Sequence, residues 1–208
     1  MTAERLPAPR GVLIAAGVAA AATALCIVAI DRPLARVLAA YEQAGFWDKS
    51  IELLEWTLGL PFFKLFASVV LVAGMVVMMA VPRWRIYAPA WMVVAGTHVI
   101  CRFVTVRIKD ATGRLRPSEW LAKGGDDTFF RDGGIAFPSG HVVLFASILI
   151  PLAIVAPRTR PLLAIVAFVM LARIVVNAHY VSDTTGAITL VGLVAWGLAA
   201  LVRPLRTA

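Results

Sequence analysis

Six apolar stretches, separated by short polar segments, constrain the fold of this chain more than any other feature. They cover residues 11–30, 61–81, 86–106, 142–156, 162–181 and 184–202. A helix needs about 20 apolar residues to cross the hydrocarbon core of a bilayer. Only 15% of the residues are charged, against about 25% in a typical soluble domain. The sequence therefore predicts an all-α fold, a polytopic membrane bundle of six transmembrane helices plus short interfacial helices, forming one domain over residues 1–208.

The basic residues indicate how this bundle lies in the membrane. Arginine pairs occur at both termini and in two short turns, namely Arg5, Arg10, Arg83, Arg85, Arg158, Arg160, Arg203 and Arg206. Basic residues in short loops mark the cytoplasmic side of a membrane protein. Both termini are therefore predicted to be cytoplasmic, in a bacterial-type inner membrane. The net charge of +8 is explained in this way without a nucleic-acid partner.

The segments 31–60 and 107–137, and the short joint at Ser182 and Asp183, then lie on the outer side. The pattern of residues 31–60 is typical of one or two amphipathic helices on the membrane surface. Cys26 and Cys101 lie inside apolar stretches, where packing is the usual role of a cysteine. There is no CxxC pattern, Cys/His cluster or carboxylate cluster that indicates a metal. The sequence thus predicts neither a metal site nor another cofactor.

Three polar clusters on the predicted outer side carry groups that suit phosphate chemistry. The first, KDATGRLRP at residues 109–117, contains Lys109, Arg114 and Arg116. A guanidinium group binds phosphate oxygens in a fork, and lysine supplies a point charge. A basic surface patch attracted to lipid headgroups is the alternative interpretation of this cluster.

The second cluster is PSGH, at residues 138–141. Ser139 can cap a helix that begins near His141, and Gly140 permits a tight turn. The beginning of a helix binds anions through free backbone N–H groups, and a histidine beside it can pass a proton to a leaving oxygen. An ordinary helix start with an interfacial histidine is the alternative.

The third cluster is ARIVVNAHYVSD, at residues 172–183. His179 and Asp183 share a face if this segment is helical. The carboxylate would then hold one imidazole nitrogen protonated and leave the other free as a nucleophile. Arg173 is costly to insert in an apolar span, so it should face a polar cavity or partner. A structural Arg–Asp or His–Asp pair is the alternative, and the residues alone do not decide which histidine attacks.

Taken in order, these spacings resemble the three-part signature of the type 2 phosphatidic acid phosphatase superfamily, in its six-span integral-membrane form. The order is Lys109, six residues, Arg116-Pro117; then Pro138-Ser139-Gly140-His141; then Arg173, five residues, His179, three residues, Asp183. The resemblance covers residues 109–183. The third motif of the family usually opens with Ser-Arg, and Ala172 stands in place of that serine. Because the serine is not the nucleophile, little loss of chemistry is expected.

The resemblance implies a role for each motif residue. His179 would take the phosphoryl group as a phosphohistidine, Asp183 would orient it, and His141 would protonate the leaving group and then activate water. The phosphate would be held by Lys109, Arg116, Arg173 and the Ser139–Gly140 segment, without a metal.

The implied activity is hydrolysis of a terminal phosphate, as a phosphoric monoester or diphosphate hydrolase acting on a membrane lipid. Undecaprenyl diphosphate, phosphatidylglycerol phosphate, phosphatidic acid and lipid A phosphate are candidate substrates. Two alternatives are a phosphotransferase that passes the phosphate to another lipid and a non-catalytic lipid-phosphate binder or transporter. The sequence specifies neither the headgroup nor the oligomeric state.

Other polar residues have weaker patterns. His98 and Arg102 are one turn apart in the third apolar stretch, where interhelical bonding or snorkelling is favoured over support of the site. The loop 118–137 contains Asp126, Asp127 and Asp132 and is typical of a solvated turn. A second hypothesis is that this loop, with Phe129 and Phe130, rests on the membrane and shapes substrate access.

Overall fold

The computed structural model describes residues 10–40, 44–125, 129–130 and 133–202. All regular secondary structure within these ranges is helical. The α-helices are α1 (Arg10–Leu25), α2 (Asp31–Ala39), α3 (Ala44–Thr57), α4 (Phe66–Ala80), α5 (Ala88–Thr112), α6 (Pro117–Ala122), α7 (Gly140–Val155), α8 (Leu163–Val175) and α9 (Val181–Val202). A π-helical turn, Cys26–Ile30, joins α1 to α2. Two 3-10 turns, Pro82–Tyr87 and Pro157–Leu162, precede α5 and α8.

Each predicted apolar stretch contains a helix, but these helices differ in length. Three helical segments, at residues 10–39, 82–122 and 181–202, are long and apolar enough to cross a membrane. By contrast, α4, α7 and α8 have 15, 16 and 13 residues. Prolines limit them: Pro82 and Pro157 begin the turns that follow α4 and α7. By length and composition, the described residues therefore contain three candidate spans, and the predicted count of six is not confirmed.

The apolar surface of the bundle is consistent with a membrane protein. On α1, Ile14, Val18 and Leu25 are 67%, 65% and 61% exposed. Valines of α4 are also exposed. Contiguous apolar surface of this extent is rare on soluble monomers, whereas lipid chains cover it in a bilayer.

The helices α5, α7 and α9 form the centre of the bundle, with α1 against α9 and α8 against α7. Val142, Val143, Val169 and Val191 are fully buried between them, together with Cys101. A small residue allows α1 and α9 to approach closely, because a Cβ on Gly192 would lie 2.9 Å from the Cβ of Ala16. Both cysteines are free and buried, as expected for residues that pack in apolar stretches.

His98 links three helices, which confirms the interhelical bonding favoured for it. It is fully buried on α5. Its Nε2 lies 3.0 Å from Ser68 Oγ of α4, and its Nδ1 lies 2.9 Å from Ser147 Oγ of α7. Each ring nitrogen therefore has a hydroxyl partner in the core.

The segment 31–60 forms two helices, α2 and α3, within the alternatives predicted for it. One face of α3 is apolar and packs against α7 and α8. Ile51 is 3% exposed in the core, and Trp47, Leu54 and Leu58 pack beside it. The two arginine-bearing 3-10 turns lie at the end of the bundle where α5 begins and α7 ends, so the other end is formed by the end of α5 and the beginning of α7.

Candidate active site

Backbone hydrogen bonds bring the three polar clusters together at that second end of the bundle. Helix α5 ends at Thr112, and the next residue, Gly113, has a φ of +52°, in the left-handed region that favours glycine. The chain then returns alongside itself, and the N–H of Gly134 donates to the carbonyl of Gly113 at 3.0 Å. The N–H of Ser139 donates to the carbonyl of Asp183 at 3.0 Å. This bond joins the beginning of α7 to the beginning of α9, so the second and third clusters are neighbours.

His179 and Asp183 form a buried hydrogen-bonded pair. The Nδ1–H of His179 donates to Oδ2 of Asp183 at 3.3 Å, and the two side chains are 3% and 0% exposed. The condition under which both would lie on one helix face, a helical segment, is not met, since α8 ends at Val175 and α9 begins only at Val181. Asn177, with a φ of +53°, turns the chain between them. The pair forms because Asp183, in the first turn of α9, reaches back to the preceding turn.

This arrangement leaves one imidazole nitrogen available. Oδ2 of Asp183 also accepts the backbone N–H of Tyr180 at 2.9 Å. An acidic side chain in the first turn of a helix often accepts the N–H of the residue before the helix in this way, and the bond fixes the carboxylate. With Nδ1 committed to the carboxylate, Nε2 of His179 has no hydrogen-bond partner among the described residues. Burial lowers the pKa of His179, opposed by its hydrogen bond to Asp183 and by the charge of that carboxylate, while the charges of Arg173 and Lys109 lower it further. A neutral imidazole is the form that can act as a nucleophile.

Arg114 holds the other side of Asp183. Its Nη1 donates to Oδ1 of Asp183 and to Oγ of Ser182, both at 2.6 Å, and its Nη2 donates to Oδ2 of Asp31 at 2.6 Å. The side chains of Arg114, Asp31 and Asp183 are all buried. Asp31 is a residue that the sequence analysis missed. It is the first residue of α2, directly after an apolar stretch, and it also accepts the hydroxyl of Ser182.

The expectation that Arg114 suits phosphate is therefore wrong. Both guanidinium ends are bound to carboxylates, and aromatic rings surround the group. Its central carbon lies between 4.3 and 5.9 Å from the ring centroids of Tyr180, Phe129, Phe130 and Phe137. Phe129 is only 2% exposed, so it does not rest on the membrane surface as the second hypothesis for its loop required. Asp126, Asp127 and Asp132 of the same loop lie outside the described residues.

His141 meets a second carboxylate. It is the second residue of α7, and its Nε2 lies 2.6 Å from Oε1 of Glu55, which is on α3. The two side chains are 30% and 26% exposed. Burial raises the pKa of Glu55, and the charge of Arg173 opposes this by lowering it. The sequence analysis missed Glu55; its place seven residues after Asp48, on the same side of a helix, was the available signal.

The cations predicted to hold phosphate gather around these histidines. Nζ of Lys109 donates to the carbonyl of Ile135, and a Cβ on Gly140 would lie 4.0 Å from Cε of Lys109. Nη1 of Arg173 lies 3.8 Å from Oδ1 of Asp48, in an ion pair whose acid is 53% exposed. The charge of Arg116 acts on both Lys109 and Arg173.

Five buried polar atoms in this region have no hydrogen-bond partner within the described ranges: Nε of Arg114, Arg116 and Arg173, Oγ of Ser139 and the hydroxyl oxygen of Tyr180. Leaving such groups unpaired in a folded protein costs about 1–3 kcal/mol each. Three of them, on Arg116, Arg173 and Ser139, belong to residues predicted to hold phosphate. An anion with several oxygens would supply the missing acceptors.

Comparison with known proteins extends these observations. A sequence model described as the PAP2 superfamily matches residues 90–207, more than half of the chain. The match includes α5 to α9 and excludes Asp31, Asp48 and Glu55. No curated protein and no solved structure matches the chain.

Proposed function

Because the chain belongs to the PAP2 superfamily, whose members are generally phosphatases, we propose that it is a metal-independent lipid phosphatase. It removes the terminal phosphate of a lipid phosphate or diphosphate through a phosphohistidine. The observation that carries this proposal is the buried His179–Asp183 pair, whose free imidazole nitrogen lies within the field of Lys109 and Arg173.

In the first half-reaction, Nε2 of neutral His179 attacks phosphorus. The N–P bond forms as the bond between phosphorus and the leaving oxygen breaks, and His141 gives that oxygen a proton. The positive charge that develops on His179 is stabilised by Asp183 at Nδ1. In the second half-reaction, water attacks phosphorus and gives a proton to His141. Inorganic phosphate leaves and His179 returns to its neutral form.

The phosphate oxygens are held by Lys109, Arg116, Arg173, the hydroxyl of Ser139 and the backbone at Gly140. The unpartnered atoms of Arg116, Arg173 and Ser139 support this assignment, as does the position of Ser139 and Gly140 at the beginning of α7. Fixed cations stabilise the charge of the transition state without reorganising during the reaction. Their number is the reason for proposing that no metal takes part.

We further propose that all six apolar stretches cross a bacterial-type inner membrane, with both termini cytoplasmic and the site at the outer face. The arginines of the two 3-10 turns support this orientation, because they lie at the end of the bundle opposite the site. A site at the end of an apolar bundle suits a substrate whose headgroup is polar and whose tail remains in the bilayer. Undecaprenyl diphosphate, phosphatidylglycerol phosphate, phosphatidic acid and lipid A phosphate all have this form.

The test is phosphate release by detergent-purified protein from a panel of these lipids, in the presence of a chelator. We expect at least one lipid to be hydrolysed, and both His179→Ala and Asp183→Asn to lose that activity. Asp110→Asn is the matched control, because Asp110 is exposed on α5 and should leave the activity unchanged. Full activity of His179→Ala would refute the proposed mechanism.

A phosphotransferase shares the first half-reaction and is distinguished by the fate of the phosphate. With a donor lipid labelled in its terminal phosphate, hydrolysis releases water-soluble label. Transfer places the label on a second lipid added as acceptor. Substrate recovered intact after prolonged incubation with native protein would instead indicate a binder or transporter.

A further inference from the structure

Helix α3 lies outside the region of the family match, and apolar packing holds it beside the site. Trp47, Ile51, Leu54 and Leu58 recur at the spacing of one helix face and contact the core. The ring of Trp47 lies 5.6 Å from that of Phe168 on α8. The polar residues of α3 are thereby held at fixed positions relative to α7 and α8.

Two carboxylates of α3 face the site. Asp48 and Glu55 are seven residues apart, about two helical turns, and each faces a different predicted site residue. Asp48 pairs with Arg173 at 3.8 Å and is largely exposed. Glu55 contacts His141 at 2.6 Å, and both side chains are partly buried. The Glu55 contact is thus the shorter and the less hydrated of the two.

The short distance between Glu55 and His141 requires a shared proton. A carboxylate oxygen and an imidazole lone pair would repel each other at 2.6 Å, so a proton lies between Oε1 and Nε2. The direction in which burial shifts the pKa of Glu55, upward, also favours a pair that retains this proton.

The surrounding charges show why His141 needs this partner. Burial lowers the pKa of His141, and the charges of Arg173, His179, Arg116 and Lys109 lower it further. Glu55 is the carboxylate that offsets them at hydrogen-bonding distance, and Arg173 and Glu52 are the other charges that act on Glu55.

We propose that Glu55 is the positioning residue of the acid–base step, so that the site contains two histidine–carboxylate pairs. The pair His179–Asp183 serves the nucleophile, and the pair His141–Glu55 serves the proton transfer. Glu55 fixes the imidazole of His141 through Nε2 and leaves Nδ1 to face the phosphate. This inference rests on the proposed function.

The protons balance in this scheme. The resting pair holds one proton on Nδ1 of His141 and one between Nε2 and Glu55. When the bond to the leaving oxygen breaks, the Nδ1 proton moves to that oxygen, and the shared proton moves fully onto Nε2. When water attacks the phosphohistidine, the proton of water moves to Nδ1 and the N–P bond breaks. The pair is restored, and no other reactant is needed.

Kinetics of Glu55→Gln test the inference. Glutamine preserves the shape of the side chain but cannot carry the shared proton or the charge. We expect kcat for the best lipid phosphate to fall about 100-fold, the lower end of what proton transfer contributes, with little change in KM. The basic limb of the pH profile should move to lower pH, because the acid loses its proton more easily. Glu55→Asp should recover part of the activity.

Glu52→Gln is the matched control. Glu52 lies one turn earlier on α3 and is exposed, and it acts on Glu55 only through its charge. Its kcat should equal that of the native protein, and any move of its basic limb should be much smaller than the move in Glu55→Gln. Thermal unfolding of each variant shows whether it is folded. A folded Glu55→Gln with native kcat and an unmoved basic limb would overturn the inference. So would a rise in kcat, because it would mean that Glu55 competes with phosphate for the site.

A second measurement does not depend on lipid hydrolysis. The chain contains three histidines, so the imidazole NMR signals of labelled protein can be assigned by single substitutions. We expect His141 to lose its proton at lower pH in Glu55→Gln than in the native protein and in Glu52→Gln. An unchanged titration would overturn the pair. If the native protein hydrolyses no lipid phosphate, the proposed function fails, while this titration still decides whether the pair exists.

Discussion

Replacement of Arg114 by methionine tests the buried charge network that holds the proposed nucleophile. The substitution preserves much of the apolar stem and removes the guanidinium group. Two carboxylates that are at most 1% exposed, Asp31 and Asp183, then lose the cation that lies 2.6 Å from each. Aromatic rings surround the place of the guanidinium group, and both carboxylates are buried, so water does not replace the lost charge.

The expected cost follows from what each carboxylate retains. Removing one partner of a buried ion pair costs about 3–5 kcal/mol. Asp183 keeps the N–H of Tyr180 and Nδ1–H of His179, and Asp31 keeps two donors from Ser182. Because these hydrogen bonds remain, the loss of stability should stay within that range, even though one guanidinium group pairs with both carboxylates. The free energy of unfolding in mixed detergent should therefore fall by about 3–5 kcal/mol.

A double-mutant cycle isolates the ionic part of this loss. Asp31→Asn removes one of the two acids that Arg114 neutralises. The double variant Arg114→Met with Asp31→Asn should lose less stability than the sum of the single variants, by about 0.5–3 kcal/mol. Additive losses would refute the argument that Arg114 is retained for its charge. The folded Arg114→Met protein should also release phosphate about 100-fold more slowly, because small displacements of catalytic groups have effects of this size.

Three further outcomes follow from single residues. Burial lowers the pKa of His179, and the neutral imidazole is the form that attacks. The acidic limb of the pH profile of kcat/KM should therefore lie below about pH 6.5, the usual histidine pKa. A limb above pH 7 would contradict this. His98→Ala removes the partner of two serine hydroxyls and should lower the free energy of unfolding by about 1–3 kcal/mol, with kcat of the folded protein unchanged. Gly134→Ala should cost about 1–3 kcal/mol, since its Cβ would overlap the carbonyl of Arg114. Gly17→Ala, inside α1 with open space around it, should cost nothing and stabilise by up to about 1 kcal/mol in the same unfolding assay.

The helices were predictable from the sequence to the extent that apolar composition determines them. Each apolar stretch contains a helix, because burial and lipid contact both favour apolar side chains there. The ends were less predictable. The stretch 162–181 continues apolar beyond Val175, where α8 ends, and Asn177 in the left-handed region breaks the helix. The apolar pattern does not indicate that turn, so the sequence offered a shared face for His179 and Asp183 only on the condition that the segment is helical.

The supporting residues of the site were harder to predict than the motif residues. Lys109, Arg114 and Arg116 are nearly equivalent as a local pattern of cations. Their roles differ because the chain turns at Gly113 and directs Arg114 into the core. Asp31 is separated from Ser182 by 151 residues. A contact over such a distance depends on the packing of α1 and α2 against α9, which one sequence does not reveal.

The residues of the site come from two parts of the chain, one inside the region that matches the family and one before it. The residues proposed to touch phosphate all lie within the region that matches the family, between residues 90 and 207. Asp31, which reaches Asp183 through Arg114, and Glu55, which contacts His141, both precede it. Each histidine therefore depends on an acid from the N-terminal helices, directly for His141 and through a guanidinium for His179. It follows that the three motifs alone do not determine the proton affinity of these histidines. A chimera that retains residues 90–207 behind the N-terminal helices of another family member should keep its motifs and change its pH profile, unless those helices supply acids at equivalent positions.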